Sequence, residues 1–252
     1  MAMRLHRFAR PRDAAAAAAA RVSTAIHREP RLVLGLPTGH TMIPLYAELR
    51  KNVVAGLDCT RLSTFNVDEF VGIAADHPGS FRQFLVRHLI AHLGLDPDRT
   101  HFLDGVAPDP EAECVAYEVA IRRAGGIDLQ VLGIGTNGHI GFNEPGPVLT
   151  ARTHRARLQT ETRRANADWF DGDLSQVPHE ALSMGMGTIL AARRILLLAT
   201  GGAKAAAVAR AVAGPITTMV PASFLQLHRD VAVYLDEEAA AALPSAPAEV
   251  PL

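Results

Sequence analysis

Short apolar runs alternate along this chain with longer amphipathic segments, and this alternation restricts the fold more than any other feature of the sequence. The runs at 31–36 and 194–200 are apolar at nearly every position, and further runs lie at 62–67, 127–132 and 231–235. A strand that is apolar on both faces is typical of a parallel sheet covered by helices on each side. The sequence therefore predicts an α/β fold with one doubly wound, mostly parallel sheet and helices on both faces.

Amphipathic segments at 42–52, 81–93 and 204–212 separate the apolar runs and predict helices. An alanine run at 14–20 predicts another helix, because alanine has the highest helix propensity. No linker rich in Pro, Ser or Gly divides the 252 residues, so we expect a single domain over residues 1–252. No apolar stretch approaches the ~20 residues of a membrane span, and no membrane partner is expected.

Charge and cysteine content exclude several classes of protein. The 25 basic and 26 acidic residues give a formal net charge of -1 without a basic block, so nucleic acid is not an expected partner. Cys59 and Cys114 show no CxxC spacing, which argues against a disulfide framework and suits a reducing cytoplasm. The eleven histidines form no HExxH motif or other metal-ligand spacing, so we expect no metal.

The stretch Leu-Gly-Ile-Gly-Thr-Asn-Gly-His-Ile-Gly-Phe-Asn-Glu-Pro at 132–145 sets His139 and Glu144 on one glycine-rich loop after a strand. Glycines let the backbone turn tightly, and ligands of parallel sheets bind at the carboxyl ends of strands. Histidine titrates nearest neutrality, and a carboxylate five positions away can orient its ring or tune its basicity. We interpret this loop as part of an active site.

Two other strand ends carry features of an anion site. Pro-Thr-Gly-His-Thr at 37–41 precedes a helix, where free backbone N–H groups and the helix dipole favour an anion, although an ordinary helix cap explains the loop equally well. Lys204 lies in the first turn of its helix, where a cation opposes the dipole, so it meets an anionic ligand or lies in solvent. Neither a P-loop nor GxGxxG is present, so nucleotide binding is not expected.

Charged side chains near two further loops leave both a functional and a structural interpretation open. Asp68 and Glu69 follow the run at 62–67. A desolvated carboxylate at this strand end can act as a general base. Alternatively, the two carboxylates cap a helix or form a surface ion pair. Arg163 and Arg164 can clamp a phosphate through parallel hydrogen bonds or can face solvent.

Four motifs follow one another in order: Leu-Pro-Thr-Gly at 36–39, Phe-Asn-Val-Asp-Glu-Phe-Val-Gly at 65–72, His-Pro-Gly-Ser-Phe at 77–81, and Gly-Thr-Asn-Gly-His-Ile-Gly-Phe-Asn-Glu-Pro at 135–145. They resemble the glucosamine-6-phosphate deaminase family, which is related to the 6-phosphogluconolactonases and has a Rossmann-like fold. The resemblance runs nearly end to end. Lactonases usually carry a Ser-Leu-Phe-Pro-like segment where this chain has Phe-Asn-Glu-Pro, so Glu144 indicates the amino-sugar branch.

The resemblance implies an enzyme without a cofactor that isomerises and deaminates glucosamine 6-phosphate, with water, to fructose 6-phosphate and ammonia. It implies that Asp68 is the base that moves a proton between C2 and C1. His139, oriented by Glu144 and completed by Asn137, is implied to open the pyranose ring. The residues implied to bind the substrate phosphate are Thr38, Gly39, His40, Thr41, Arg163 and Lys204. The segment at about 149–178 is a candidate lid over the sugar.

Three alternatives to this function remain at the level of sequence. A galactosamine-6-phosphate deaminase/isomerase needs the same base and phosphate site. A 6-phosphogluconolactonase needs no base that abstracts a proton from carbon. A catalytically silent sugar-phosphate sensor keeps the pocket without turnover. The expected partner is a small amino-sugar phosphate, and the sequence does not decide between a monomer and a homo-oligomer.

The chain departs from the family pattern at several positions. Asn137 stands where some members carry Asp, and an amide holds a histidine ring without stabilising its cation by charge. His40 stands where Gly or Ser is usual, and Ala151 where a serine is common. Hexameric members activated by N-acetylglucosamine 6-phosphate use basic residues where this chain has His154 and Ala156, so no such activation is expected.

Overall fold

A parallel sheet of seven strands forms the centre of the molecule, of which the computed structural model describes residues 3–244. The ten strands among these residues are β1 (Arg4–Phe8), β2 (Val33–Leu36), β3 (Ser63–Asn66), β4 (Asp68–Phe70), β5 (Thr100–His101), β6 (Leu129–Leu132), β7 (His154–Arg157), β8 (Glu180–Ser183), β9 (Arg194–Ala199) and β10 (Val231–Asp236). The central sheet has the order β1, β10, β9, β6, β2, β3, β5, with every neighbouring pair parallel. The predicted parallel sheet is confirmed.

Helices cover both faces of this sheet, as predicted. They are α1 (Pro11–Arg28), α2 (Met42–Val54), α3 (Phe81–His88), α4 (Pro110–Arg123), α5 (Thr160–Ala165), α6 (Met186–Leu190), α7 (Ala205–Ala213) and α8 (Glu237–Ala240). Successive residues of a strand point to opposite faces, so in β9 Leu196 packs towards α1, α2 and α3, whereas Leu197 packs towards α4, α6 and α7. No helix between residues 3 and 244 is long and apolar enough to cross a membrane.

The alanine run forms the buried side of α1. Ala14, Ala15, Ala18 and Ala19 are all at most 1 % exposed, and they lie against α2 and the sheet. Their small side chains let the helix approach closely, so the run serves packing as well as helix propensity.

Several elements were not expected from the sequence. β1 is a half-exposed edge strand, and β5 has two residues, so neither shows the apolar run of a buried strand. Helix α4 was also missed, although its start carries the usual signals. Asp109 accepts hydrogen bonds from the N–H groups of Glu111 and Ala112, and Pro110 occupies the first helical position.

A second, antiparallel sheet of three strands lies beside the first, in the order β4, β8, β7. The chain passes between the sheets at Val67, whose N–H donates to Leu36 O at 3.0 Å and whose carbonyl accepts from Met184 N at 2.8 Å. Asp68 is therefore the first residue of the second sheet. Beneath this sheet lies an aromatic cluster made of Phe70, Phe81, Phe142 and Phe170.

Candidate active site

A cavity of about 230 Å³ opens at the carboxyl ends of β2 and β6, where the loops after these strands meet α5 and the start of α7. Seven of the ten predicted site residues line it, namely Thr38, Gly39, His40, Thr41, Asp68, His139 and Lys204. They come from four separate loops or strand ends. The parallel sheet brings these ends to one edge, as the sequence predicted.

The loop at 38–41 has the geometry of an anion site. Within residues 3–244, no acceptor receives a hydrogen bond from the N–H groups of these four residues. Gly39 has φ of +107°, a conformation that favours glycine and turns the backbone towards the start of α2. Tyr46 donates a hydrogen bond from its hydroxyl to Pro37 O, which anchors the loop from the buried side of α2. Unused N–H groups at a helix start attract an anion.

Lys204 lines the same cavity at the N-cap of α7. It is one of only two lysines in the chain, and unlike Lys51, which pairs with Glu48, it has no ion-pair partner within the described residues. Partial burial lowers the pKa of its ammonium, while Glu161 opposes that effect. A partly desolvated, unpaired cation beside free N–H groups is suited to an anionic ligand.

The neighbouring carboxylates Asp68 and Glu69 have different environments. Glu69 accepts hydrogen bonds from the backbone N–H groups of residues 70, 81 and 82 and from Ser80 Oγ, so it caps the start of α3. Asp68 is 7 % exposed and lines the cavity, and its carboxylate oxygens accept no hydrogen bond from residues 3–244, since Asn66 Nδ2 donates to its backbone carbonyl instead. Burial, with repulsion from Glu69, raises the pKa of Asp68 from 3.8 to about 8. Asp68 alone is available as an acid or base.

His139 is held by a short relay of side chains. Its Nδ1 lies 2.8 Å from Asn137 Oδ1, and its backbone N–H donates to the same oxygen at 3.1 Å. Asn137 Nδ2 donates to Glu144 Oε2 at 2.9 Å, while Glu144 Oε2 lies 3.7 Å from His139 Nδ1. Because the amide oxygen accepts and its nitrogen donates to a carboxylate, Nδ1 carries the proton in the neutral ring and Nε2 is the free base.

The relay lies behind the ring, so Asn137 and Glu144 act on His139 without lining the cavity themselves. Burial lowers the pKa of His139, with Glu144 raising it and Lys204 lowering it further. Gly135 makes the ring position possible, since a Cβ at that residue would lie 2.2 Å from the imidazole. A glycine is therefore needed at residue 135 for the imidazole to occupy this position.

Arg163 is placed differently from the prediction. It is 9 % exposed, and its guanidinium donates to the carbonyl oxygens of Leu174 and Val177 rather than lining the cavity. The reason is that α5 turns this side chain into the segment at 174–177, where it holds that segment together. Arg164 is exposed.

The candidate lid contributes cavity residues that sequence reasoning did not identify individually. Thr162, Asn166 and Trp169 line the cavity. Trp169 stacks on His40 with ring centroids 4.3 Å apart and an interplanar angle of 18°, so the unusual histidine of the loop at 38–41 contacts the lid. The sequence signal for these residues is their position in the segment at 149–178, part of which forms β7.

A parallel sheet that presents an anion-binding loop, a desolvated carboxyl and an oriented histidine in one cavity is typical of α/β enzymes that act on small phosphorylated molecules. The model of the family described as glucosamine-6-phosphate isomerases/6-phosphogluconolactonase matches residues 9–234. The chain belongs to this family.

Named relatives and solved structures are similar over most of the chain. A glucosamine-6-phosphate deaminase of Streptomyces coelicolor is 48% identical over 219 residues, covering 86% of this chain and 84% of the relative. One of Halothermothrix orenii is 46% identical, covering 92% and 96%. The structure of a monomeric glucosamine-6-phosphate deaminase has a TM-score of 0.92 at 40% identity, covering 95% of this chain and all of that one. The 6-phosphogluconolactonase of Trypanosoma cruzi, at 21% identity and a TM-score of 0.79, covers 97% and 99% and shares the fold.

Proposed function

We propose that this chain is a glucosamine-6-phosphate deaminase, an enzyme that converts glucosamine 6-phosphate and water to fructose 6-phosphate and ammonia. One observation carries the proposal: an unpartnered, desolvated carboxyl shares a small cavity with an oriented histidine and an anion-binding loop. The names of the relatives at 46% and 48% identity support the same activity.

His139 is proposed to open the pyranose ring. Its Nε2 is the unprotonated nitrogen, so it accepts the proton of the C1 hydroxyl and returns that proton to the ring oxygen as the bond from C1 to the ring oxygen breaks. Asn137 keeps Nδ1 protonated, and Glu144 holds Asn137 through the 2.9 Å hydrogen bond. The lowered pKa of His139 keeps the ring neutral, and therefore able to act as a base, at neutral pH.

Asp68 is proposed to move the proton from C2 to C1 of the open-chain sugar through an enediol-type intermediate. Protonation at C1 leaves an imine at C2, to which water adds and from which ammonia then leaves, giving the ketose. A carboxylate in water is too weak a base for a C–H proton, and burial strengthens this one by raising its pKa to about 8. Only the ionised form accepts the proton, so activity should increase as pH rises towards that value.

The phosphate of the substrate is proposed to bind to the free N–H groups and hydroxyls of the loop at 38–41 and to the Lys204 ammonium. His40 completes this end of the cavity through its stack on Trp169. Arg163 is not included, because its guanidinium already binds two backbone carbonyls. Fixing the phosphate at one end sets C1 and C2 against His139 and Asp68, which are the groups that react.

The test measures release of ammonia and fructose 6-phosphate from glucosamine 6-phosphate, with galactosamine 6-phosphate and 6-phosphogluconolactone in parallel. Turnover of the first substrate that is lost in Asp68→Asn and kept in Asp76→Asn, an exposed carboxylate, is the expected result. Preference for galactosamine 6-phosphate, or hydrolysis of the lactone that survives Asp68→Asn, would replace the proposal with that activity. Binding of all three without turnover would indicate a sensor.

The cell compartment is a separate expectation. We expect a cytoplasmic enzyme, because Cys59 and Cys114 are both free thiols and the proposed substrate is a phosphorylated metabolite.

A further inference from the structure

Two carboxylates, one from β10 and one from α8, accept hydrogen bonds from the loop that carries Lys204. Asp236, the final residue of β10, accepts the Gly201 N–H with both oxygens, at 3.0 and 3.1 Å. Glu238, in α8, accepts the Gly202 N–H at 3.2 Å. Gly201 has φ of +86°, so the chain makes a sharp turn at the point where the two carboxylates hold it.

The carboxylate of Asp236 lies in an unusual environment for a charged group. It is 1 % exposed, and within residues 3–244 no cationic side chain pairs with it. Burial of a carboxylate is costly unless hydrogen bonds satisfy it, and here the donors are the N–H groups of Gly201 and of Ala239, the latter at 2.9 Å. The Ala239 bond is an ordinary cap of α8. The two-oxygen contact with Gly201 is more than a cap requires.

The contact with Asp236 reaches Lys204 through a single residue, Gly201. The carbonyl of Gly201 accepts the Lys204 N–H at 3.0 Å and closes the turn that leads into α7. Gly201 is thus held on its N–H by Asp236 and on its carbonyl by Lys204. The backbone of Lys204, and with it the reach of the ammonium into the cavity, depends on where Asp236 holds the turn.

We propose that Asp236 is a positioning residue for the Lys204 ammonium and so sets the affinity for the substrate phosphate. This inference rests on the proposed function, in which Lys204 binds that phosphate. Asp236 does not touch the substrate. Its effect should therefore appear in binding of the phosphate group and leave the proton transfers at C1 and C2 nearly unchanged.

The test compares Asp236→Ser and Lys204→Met, alone and together. Serine is as good a helix N-cap as aspartate, so the cap of α8 is kept. The serine side chain is shorter and has a single oxygen, so the two-oxygen contact with the Gly201 N–H is lost. Asp236→Ser is expected to raise KM and the inhibition constant for inorganic phosphate by about tenfold each, with kcat within about twofold. Glu238→Gln retains a side-chain acceptor for Gly202 and serves as the matched control, with KM near wild type.

The double variant decides whether Asp236 acts through Lys204. In the Lys204→Met background, Asp236→Ser should add less than about twofold to KM, because the group it positions is absent. A full tenfold increase there, or a KM and phosphate inhibition constant unchanged in Asp236→Ser while only thermal stability falls, would overturn the inference. Should Asp236→Ser fail to fold, Asp236→Asn, which keeps one acceptor oxygen, should show a smaller increase with the same dependence on Lys204.

Failure of the proposed function gives a different pattern. If the wild type does not convert glucosamine 6-phosphate, or if Lys204→Met leaves KM unchanged, the proposed activity or its phosphate site is wrong. Calorimetric binding of inorganic phosphate to the same four proteins still tests the coupling of Asp236 with Lys204 without turnover. Equal affinities in wild type and Asp236→Ser would then contradict the inference.

Discussion

Replacing Asp68 by Asn is expected to abolish activity. It is also expected to make the folded variant increasingly stable relative to the wild type as pH rises. Burial and the neighbouring Glu69 raise the pKa of this carboxyl from 3.8 to about 8. The folded protein therefore keeps the proton up to about pH 8, whereas the unfolded chain releases it near its ordinary pKa. Wild-type stability from this group is fully present below pH 4 and is lost as pH rises through the folded pKa.

The size of the effect follows from the two pKa values. Between them, a single group changes the free energy of unfolding by about 1.4 kcal/mol per pH unit. From pH 5 to pH 8 the free energy of unfolding of the wild type should fall by about 3–4 kcal/mol because of this carboxyl. An asparagine does not titrate, so the difference in stability between variant and wild type should grow by that amount. An unpartnered buried amide subtracts a further ~1–3 kcal/mol, which is independent of pH.

The assay is urea unfolding of wild type, Asp68→Asn and Asp76→Asn at pH 5, 6, 7 and 8. Comparing variant with wild type at each pH cancels the other titrating groups. Asp76→Asn removes an exposed carboxylate that does not line the cavity, and it is the control for the loss of one negative charge. Ammonia release by Asp68→Asn should fall by a factor of about 10² or more. A stability difference for Asp68→Asn that is flat across this range would refute the desolvated-base reasoning.

Three further outcomes are expected. Asn137→Asp sets a second carboxylate beside Glu144 and should raise the pKa of His139; an NMR titration in which the imidazole does not move would count against the relay. His40→Gly uncovers Trp169, the only tryptophan, so its emission should shift to longer wavelength, and an unchanged spectrum would mean that the stack does not persist in solution. Added N-acetylglucosamine 6-phosphate should leave the rate unchanged, and activation would contradict the expectation drawn from His154 and Ala156.

The central sheet was predictable because the sequences of its strands indicate burial on both faces. Runs such as 194–200 are apolar at consecutive positions, and only a strand covered on both faces buries them all. The edge of the sheet at which the site lies was predictable for the same reason, since parallel strands present their carboxyl ends together. The second sheet was not predictable, because β4 has three residues and β7 is largely polar, so neither carries a periodic signal.

The candidate site was predictable as a set of loops and less so as a set of contacts. Most predicted residues line one cavity because each follows a strand of the parallel sheet. Arg163 does not, because the turn of α5 directs its guanidinium to carbonyls at 174 and 177. The link between Asp236 and Lys204 joins positions that are distant along the chain, and no local pattern marks it.

By itself, the sequence determined the alternation of buried strands and helices, the glycine-rich loop, and the family motifs, since all of these depend on neighbouring residues. Tertiary structure alone decided the division of labour between Asp68 and Glu69. The two are adjacent in β4, and successive side chains of a strand point to opposite sides. One side faces the start of α3, whose N–H groups bind Glu69, and the other faces the cavity, where desolvation without a partner makes Asp68 a base.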